Sequence, residues 1–419
     1  MKKAFIVLLA LLLATSTMLA LVGCEKEPEG PATSVADYKA KGEWQTINDP
    51  VTWEKINAFP IVNDDMTIEE GRSLVVDFFR FAKTALWIPS ETYEYVPGLS
   101  IEGGTVFGGL PYVTQASGSI YRLMDYMDPE TNVVNMEKAG VHPILFCNVC
   151  SSGAYVGFGR VINSATYGVT MNMVKARGFL PVGGYTYDDI TRLGDPYTTK
   201  HILEDNGVEK IFECYALLKK GDGLVNFVTA GHVMMVSSEE AHVEYGADGK
   251  IDPGKSYITV IDQTGTIGQA SNDAGDTYNY EQNVDGKMTF LYLSQKNYLP
   301  FTFAEWEGTD PIEKSETTYT HTGDTITLDQ LYDSTVTSNY GICDVYASVY
   351  DKNGNEVYKV ARRAGQCGRK ELAFIENGVE FESWGNVEDL NPKKDYTVKV
   401  YAQLYTGERP VLWEGKLAQ

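Results

Sequence analysis

The stretch GDGLVNFVTAGHVMMV, residues 221–236, decides how this chain is expected to fold. It contains two short runs rich in β-forming residues, Leu224–Val228 and His232–Val236, around the turn-forming Thr229–Gly231. These runs predict a β-hairpin whose second strand begins with a histidine. A further strand is predicted from Ser256 to Asp262, after two glycine-containing turn signals.

Composition limits the classes of protein to which this chain can belong. The chain has 419 residues, of which 43% are hydrophobic and 12% aromatic. That is enough apolar material for two or three domains, and it excludes general disorder. The 57 Asp and Glu against 35 Lys and Arg give a net charge of −22. Because phosphate backbones need clustered basic side chains, we expect no nucleic-acid partner.

The first 23 residues are typical of an export signal. Two lysines precede an apolar run over residues 4–13, followed by small and polar residues. The motif Leu21-Val22-Gly23-Cys24 resembles the lipobox of bacterial lipoproteins, which implies that Cys24 becomes the lipidated first residue of the mature protein. A transmembrane anchor is the alternative, but charged residues begin at Glu25 and a span needs about 20 apolar residues. The expected location is therefore outside the cytoplasm, at the membrane, facing the cell wall.

The pattern along the chain predicts four segments. They are a signal peptide (1–23), a flexible tether (24–50), a papain-like cysteine peptidase domain of the α+β class (51–309) and an all-β sandwich domain (310–419). The tether is rich in Glu, Lys, Pro, Gly and Ala. The sandwich follows from short alternating segments, such as Tyr346–Tyr350, separated by turn signals such as Asn353-Gly354.

One helix of the first domain is predicted from a sequence signal at its N-terminus. Thr67 and Glu70 have the spacing of a capping box. An apolar stripe at helical spacing then extends from Leu74 to Leu86, and Pro89 is expected to end it. We interpret this stripe as core packing.

The cysteine count indicates an unpaired thiol. Apart from Cys24, five cysteines remain, an odd number for an exported protein. Cys343 and Cys367 lie in one C-terminal region and could form a disulfide. Cys147 and Cys150 have the spacing of a redox or half-zinc motif. Since the sequence has no second Cys/His pair at ligand spacing, we expect neither a metal nor another cofactor.

Three segments carry the expected active site. They are Gly109-Leu110-Pro111-Tyr112-Val113, Cys150-Ser151-Ser152-Gly153, and Gly221–Val225 leading to Gly231-His232-Val233. Together they resemble the NlpC-type cell-wall cysteine peptidases, whose Gly-x-Pro-Tyr, Asp-Cys-Ser-Gly, Gly-Asp-Leu-Val and Gly-His-Val motifs occur in the same order. The resemblance implies a papain-like α+β fold and peptidoglycan stem peptides as substrate. It also implies substrate contacts by Tyr112 and Ser151.

The residue types favour the same chemistry. A cysteine at a helix N-terminus has its thiolate stabilised by the helix dipole and by a neighbouring imidazolium. Cys150 is therefore the predicted nucleophile, and its backbone N–H the predicted oxyanion donor. His232 is the predicted base, because the other histidines lack the Gly-His-Val context. Cys147 is the rival nucleophile, but Ser-Ser-Gly follows only Cys150.

The third member of the triad must orient the imidazole. Alternation along the Ser256–Asp262 strand puts Asp262 and Gln263 on opposite faces, so only one of them can face His232. The related CHAP amidases have a glutamate at the position that matches Asp262, which makes Asp262 the predicted third member and Gln263 the alternative. The family usually has Asp where this chain has Val149, a residue linked there to recognising a free amino end.

The predicted function is that of a lipid-anchored extracellular cysteine peptidase or amidase. It would hydrolyse amide bonds through a Cys-His-Asp triad and a thioester intermediate. Two alternatives are a transglutaminase-like cysteine enzyme and a non-catalytic surface-binding protein with the same fold.

Overall fold

A six-stranded antiparallel sheet organises the N-terminal part of the protein. The computed structural model describes residues 51–96, 99–104, 106–112, 118–139, 148–165, 179–187, 197–228, 231–263, 270–271, 277–278, 284–375, 382–391 and 394–418. Across the sheet, the strands are β12 (Val284–Thr289), β9 (Tyr257–Asp262), β8 (Gly231–Val236), β7 (Gly223–Phe227), β13 (Leu299–Phe303) and β6 (Phe179–Pro181).

Helices and short strands accompany this sheet. The helices are α1 (Trp53–Asn57), α2 (Ile68–Thr84), α3 (Ile120–Met124), α4 (Met136–Ala139), α5 (Cys150–Phe158), α6 (Thr199–Asn206), α7 (Val208–Tyr215) and α8 (Phe290–Gln295). The short strands are β1 (Leu86–Pro89), β2 (Tyr93–Val96), β3 (Leu99–Ile101), β4 (Phe107–Gly108), β5 (Val133–Val134), β10 (Ala270–Ser271) and β11 (Thr277–Tyr278). Among the described helices, none combines the length and apolar character that a membrane span requires.

Helix α2 begins where the sequence predicts and ends earlier. Thr67 and Glu70 form the predicted capping box, with each side chain accepting a hydrogen bond from the other residue's backbone N–H. The prediction that Leu86 continues the helical stripe is wrong. Leu86–Pro89 form strand β1, which is buried along its whole length and pairs with β4 and β5. In this short apolar run, hydrogen bonding to two neighbouring strands thus determines the structure, although the spacing of the apolar residues is helical.

The predicted hairpin and the strand after it are present with nearly the predicted bounds. β7 and β8 pair antiparallel, with Asn226 opposite His232; residues 229–230 of the predicted turn lie outside the described residues. β9 begins one residue later than predicted and pairs with β8, with Asp262 opposite Met234. These pairings place the histidine and the end of β9 on neighbouring strands.

The register of β9 is interrupted on its other side by a bulge. The pairing of β9 with β12 shifts between Val284 and Gly286, at Asp285, which has a φ of 60°. Asp285 forms an ion pair at 3.0 Å with Arg80 of α2. The bulge sets which residues of β9 and β12 lie opposite each other. Since Asp285 in the bulge is paired with Arg80, α2 helps to hold this register.

The C-terminal part is largely β, with mostly antiparallel sheets. One sheet contains, in order, β15 (Thr325–Ile326), β22 (Val411–Leu417), β21 (Thr397–Leu404), β17 (Ile342–Tyr350), β18 (Glu356–Arg363) and β20 (Glu382–Trp384). The other contains β14 (Thr317–Tyr319), β16 (Thr335–Ser338) and β19 (Glu371–Ala373), and helix α9 (Leu328–Tyr332) completes this part. The predicted turn signal Asn353-Gly354 joins β17 to β18, where Asp351 Oδ1 accepts hydrogen bonds from backbone N–H groups.

The N-terminal and C-terminal parts belong to one compact unit, in which the C-terminal part has a hydrophobic cluster of its own and also contributes to the N-terminal cluster. Tyr340 and Tyr405 from the C-terminal part belong to the same hydrophobic cluster as the N-terminal sheet. The Tyr340 hydroxyl oxygen lies within hydrogen-bonding distance of two carbonyl oxygens, those of Val161 at 3.0 Å and Glu313 at 2.7 Å. The contact between the two parts therefore combines buried apolar packing with a hydrogen bond.

A group of buried charged side chains crosses the same contact. Arg122 Nε lies 2.9 Å from Asp344 Oδ1, and neither side chain is more than 3% exposed. Arg363 pairs with Asp125 at 2.7 Å and with Glu382 at 2.8 Å. We call Arg122, Asp125, Asp344, Arg363 and Glu382 the interface ion cluster. In it, cations and carboxylates are matched by direct contact.

The disulfide considered for Cys343 and Cys367 does not form, since both are free buried thiols. Cys343 Sγ lies 3.0 Å from Ser119 Oγ. Cys367 Sγ accepts a hydrogen bond at 3.0 Å from the Tyr405 hydroxyl. Burial raises the pKa of both thiols, that of Cys367 to about 11.

Candidate active site

Cys150 is the first residue of α5 and lies at the positive end of that helix. The turn is fixed by Ser152, whose Oγ accepts from the Val149 backbone N–H at 2.9 Å. Cys150 is only 4% exposed, and its Sγ lies 3.9 Å from the Gly231 carbonyl oxygen at the start of β8. Because the first backbone N–H groups of a helix have no partner within it, the Cys150 amide is available as a donor.

His232 lies between Cys150 and Asp262. Its Nε2 is 2.7 Å from Asp262 Oδ1, which leaves Nδ1 as the ring nitrogen for the thiol. Burial alone would lower the pKa of His232, but the Asp262 carboxylate and a hydrogen bond with Cys150 raise the pKa to about 10. The imidazole is therefore protonated at neutral pH, the state that stabilises a thiolate beside it.

Asp262 and Gln263 point to opposite sides of β9. Asp262 is buried and reaches His232, whereas Gln263 Oε1 accepts a hydrogen bond from Lys83 Nζ at 2.8 Å. Gln263 Nε2 donates to the Leu110 carbonyl oxygen at 3.0 Å. The structure thus brings Asp262, and not the alternative Gln263, to the imidazole.

Tyr112 and Ser151 lie on the two segments that flank the thiol. Tyr112 forms an isolated bridge with Asn148, two residues before Cys150. Burial raises the pKa of Tyr112, and the charges of Cys150 and Asp262 add to the increase, so the phenol lies within their field. Ser151 is buried in the first turn of α5.

Several residues named from the sequence are not brought to this site or are not described. Cys24, Cys147 and His142 lie outside the described residues. His201, His242 and His321 each bond a partner within four residues along the chain. Within the ranges given above, no three His, Cys, Asp or Glu side chains gather as metal ligands would.

Two residues near the triad were not predicted from the sequence. The Tyr298 ring stands edge-on to His232, with ring centroids 6.3 Å apart. Burial raises the pKa of Tyr298, and the Asp262 charge acts in the same direction. Lys83 is fully buried behind Asp262. The sequence does contain a pattern that predicts burial of Lys83. This residue follows Val76 by seven positions and Phe79 by four, which places it on the core-facing side of α2.

Comparison with known proteins does not add a family to this description. No protein-family model matches the chain, and neither curated proteins nor solved structures give a match. The assignment of a function therefore depends on the motifs and the geometry of this chain.

Proposed function

We propose that this protein is a lipid-anchored extracellular cysteine peptidase or amidase that hydrolyses amide bonds of peptidoglycan stem peptides. In this proposal the N-terminal part is papain-like and the C-terminal part is a β-sandwich. The observation that carries it is the position of His232, hydrogen-bonded at 2.7 Å to Asp262 and interacting with a thiol at a helix N-terminus. The proposal is supported by three separated segments that carry Cys150, His232 and Asp262, the residue types of a nucleophile, a base and an orienting carboxylate.

The first step is acylation of Cys150. His232, which is protonated at neutral pH, is the partner that a thiolate nucleophile requires. Sγ attacks the amide carbonyl carbon, and the negative charge that moves to the carbonyl oxygen is stabilised by the Cys150 backbone N–H. His232 then gives its proton to the leaving amine as the C–N bond breaks, which leaves a thioester.

The second step is hydrolysis of that thioester. Neutral His232 accepts a proton from water as the water oxygen attacks the thioester carbonyl, and the C–S bond breaks. The products are a carboxylic acid and the restored thiolate–imidazolium pair. Asp262 keeps Nδ1 directed at sulfur through both steps by holding Nε2.

The choice of stem peptides rests on the order of the three motifs and on the export signal. Val149, where the resembled family has an aspartate for the amino end, forms the N-cap of α5 and offers no charge. We therefore propose that a free amino terminus is not required of the substrate at this position.

The test is digestion of purified muropeptides, with and without an acetylated amino end, followed by mass spectrometry of the products. We expect new carboxyl termini from the wild type and loss of nearly all product with Cys150→Ser and with His232→Ala. Cys214→Ser and His242→Ala are the matched controls, since those residues lie outside the triad, and they should retain activity.

Each other result has a distinct meaning. Transfer of the acyl group to an added amine, with no hydrolysis, would favour a transglutaminase-like enzyme. Failure of Cys150 to react with iodoacetamide at neutral pH would contradict catalysis and favour a binding protein.

The lipid anchor is tested separately. Cys24→Ala should leave the precursor unprocessed or mislocalised, because the motif at residues 21–24 then has no thiol to modify. Intact-mass analysis of the mature wild type should find a diacylglycerol adduct on Cys24. A free Cys24 at the mature N-terminus would contradict lipidation.

A further inference from the structure

A buried polar pair lies directly behind the triad and takes no part in the steps above. Lys83 Nζ donates to Gln263 Oε1 at 2.8 Å, and each of these residues is 1% exposed. We call Lys83 and Gln263 the buried clamp. A lysine is rarely buried to this extent unless its charge has a use or a partner.

The buried clamp connects the elements that hold the site. Lys83 belongs to the last turn of α2, and Gln263 follows Asp262 at the end of β9. Gln263 Nε2 reaches the Leu110 carbonyl, two residues before Tyr112. On α5, a Cβ added at Gly153 would lie 2.8 Å from Gln263 Cβ, so the Gln263 side chain rests against the helix that carries Cys150.

The positive charge of Lys83 offsets the net negative charge of the reactive triad. In its reactive state the triad contains a thiolate, an imidazolium and a carboxylate, which together carry one net negative charge. Cys150 and Asp262 are both almost fully buried, and a net charge is costly to hold away from water. One ammonium beside Asp262 makes the buried group neutral.

We propose that Lys83 is a positioning residue whose positive charge stabilises the thiolate form of the triad, while its bond to Gln263 fixes Asp262 and the Cys150 helix. This inference rests on the proposed function and adds to it a residue outside the three motifs.

The charged surroundings of the clamp determine its pH dependence. The titratable groups that surround the clamp on neighbouring elements are Asp262 (β9), Cys150 (α5), His232 (β8) and Tyr112. On the outer side of α2, Asp77 and Arg80 form a partly exposed group with Asp285 of β12. Burial lowers the pKa of Lys83 to about 8, and Asp262 opposes this effect. Lys83 is therefore charged at neutral pH and loses its charge above about pH 8, before His232 does.

The experiment measures the reactivity of Cys150 and so does not depend on knowing the substrate. The rate of iodoacetamide alkylation is followed by mass spectrometry and peptide mapping from pH 5 to pH 9. The variants are Lys83→Met, the double variant Lys83→Met with Gln263→Met, and Lys200→Met as an exposed control. The melting temperature is recorded for each.

We expect Lys83→Met to move the half-maximal reactivity up by about one pH unit, which makes the reaction about tenfold slower at pH values well below the half-maximal point. Lys83→Met also leaves Gln263 Oε1 buried without its donor, which lowers stability. The double variant removes that unpaired oxygen, so the melting temperature should rise above that of Lys83→Met, although the bond from Gln263 Nε2 to the Leu110 carbonyl is lost as well. Its reactivity should stay low, because the charge is still missing. Lys200→Met should match the wild type.

Three results would overturn the inference. Recovery of reactivity together with stability in the double variant would show that the clamp only packs. Profiles of both variants that superimpose on the wild type would show that the charge does not matter. A wild-type Cys150 that is inert at every pH would overturn the proposed function, and this inference with it.

Discussion

Two regions of the described protein in which charge is buried balance that charge differently. In the interface ion cluster, Arg122 and Arg363 meet carboxylates directly, at 2.7–2.9 Å. Lys83 instead donates to the neutral Gln263, while Asp262, whose charge acts on Lys83, bonds His232. In the interface ion cluster, direct ion pairs join the two parts of the fold. At the candidate site, Lys83 bonds an amide instead, which leaves the Asp262 carboxylate available to His232.

The pKa values reflect the same difference. Burial alone would lower the pKa of Arg122, but Asp344 raises it well above its usual range. Burial would raise the pKa of Asp125, but Arg363 and Lys359 lower it below its usual value. The charged forms of Arg122 and Asp125 are thus favoured by their partners. The Lys83 pKa of about 8 makes its charge change just above neutrality.

Arg122→Met removes the buried ion pair with Asp344 and should have the largest effect on stability. Asp344 would remain fully buried without its main partner, and breaking a buried pair costs about 3–5 kcal/mol of unfolding free energy. Urea denaturation measures the loss. Arg80→Met is the control, because its pairs with Asp77 and Asp285 are partly exposed and should contribute less than about 1 kcal/mol. Similar losses in both variants would mean that the two sites do not differ.

Asp262→Asn tests the other region. The amide can still hold the ring but cannot stabilise the imidazolium, so we expect hydrolysis to fall about a hundredfold. The pKa of His232 should fall from about 10 toward its ordinary value, as followed by NMR. In the wild type this raised pKa adds stability at low pH that is lost as pH rises from 6.5 to about 10, and the variant should lack that dependence.

The control for this variant is Glu244→Gln, which removes the carboxylate beside the exposed His242. It should leave both hydrolysis and the titration of His232 unchanged. An Asp262→Asn protein with an unaltered His232 titration would contradict the assigned triad.

Gly153→Ala probes the contact between α5 and the buried clamp. The new methyl group would meet Gln263 Cβ at 2.8 Å, and such overpacking costs about 1–3 kcal/mol. Gly365→Ala is the matched control, since a Cβ there meets nothing within 4 Å. Thermal unfolding compares the two, and equal stability would mean that Gln263 can move away without loss.

Cleavage of the chain at the predicted boundary at 309–310 should have the smallest effect on stability. Limited proteolysis tests this boundary. The sequence predicts that cleavage between Glu305 and Ser315 releases a folded C-terminal piece. Because the interface ion cluster and Tyr340 join the two parts, we expect the nicked pieces to elute together on size exclusion under native conditions. A folded C-terminal piece that elutes alone would show that the parts are independent domains.

Local signals in the sequence predicted the local structure well. The capping box at Thr67, the hairpin that carries His232 and the alternation at Asp262 depend on residues close together in the chain. Arg122 and Asp344 are 222 positions apart, so no spacing rule could pair them. Helical periodicity puts Lys83 on the inner face of α2, but only the packing of β9 on that helix shows that Lys83 meets Gln263.

The bulge at Asp285 has a consequence for how this gene can change. Asp262 and Gln263 have opposite roles only because β9 is held in one phase, by pairing on one side and by the bulge with Arg80 on the other. Loss of a single codon within residues 257–261 would turn the amide toward His232 and the carboxylate toward Lys83, with both residues still encoded. A second, compensating codon gained before Asp262 should restore the enzyme, so insertions and deletions in this strand are expected to be tolerated only in such pairs.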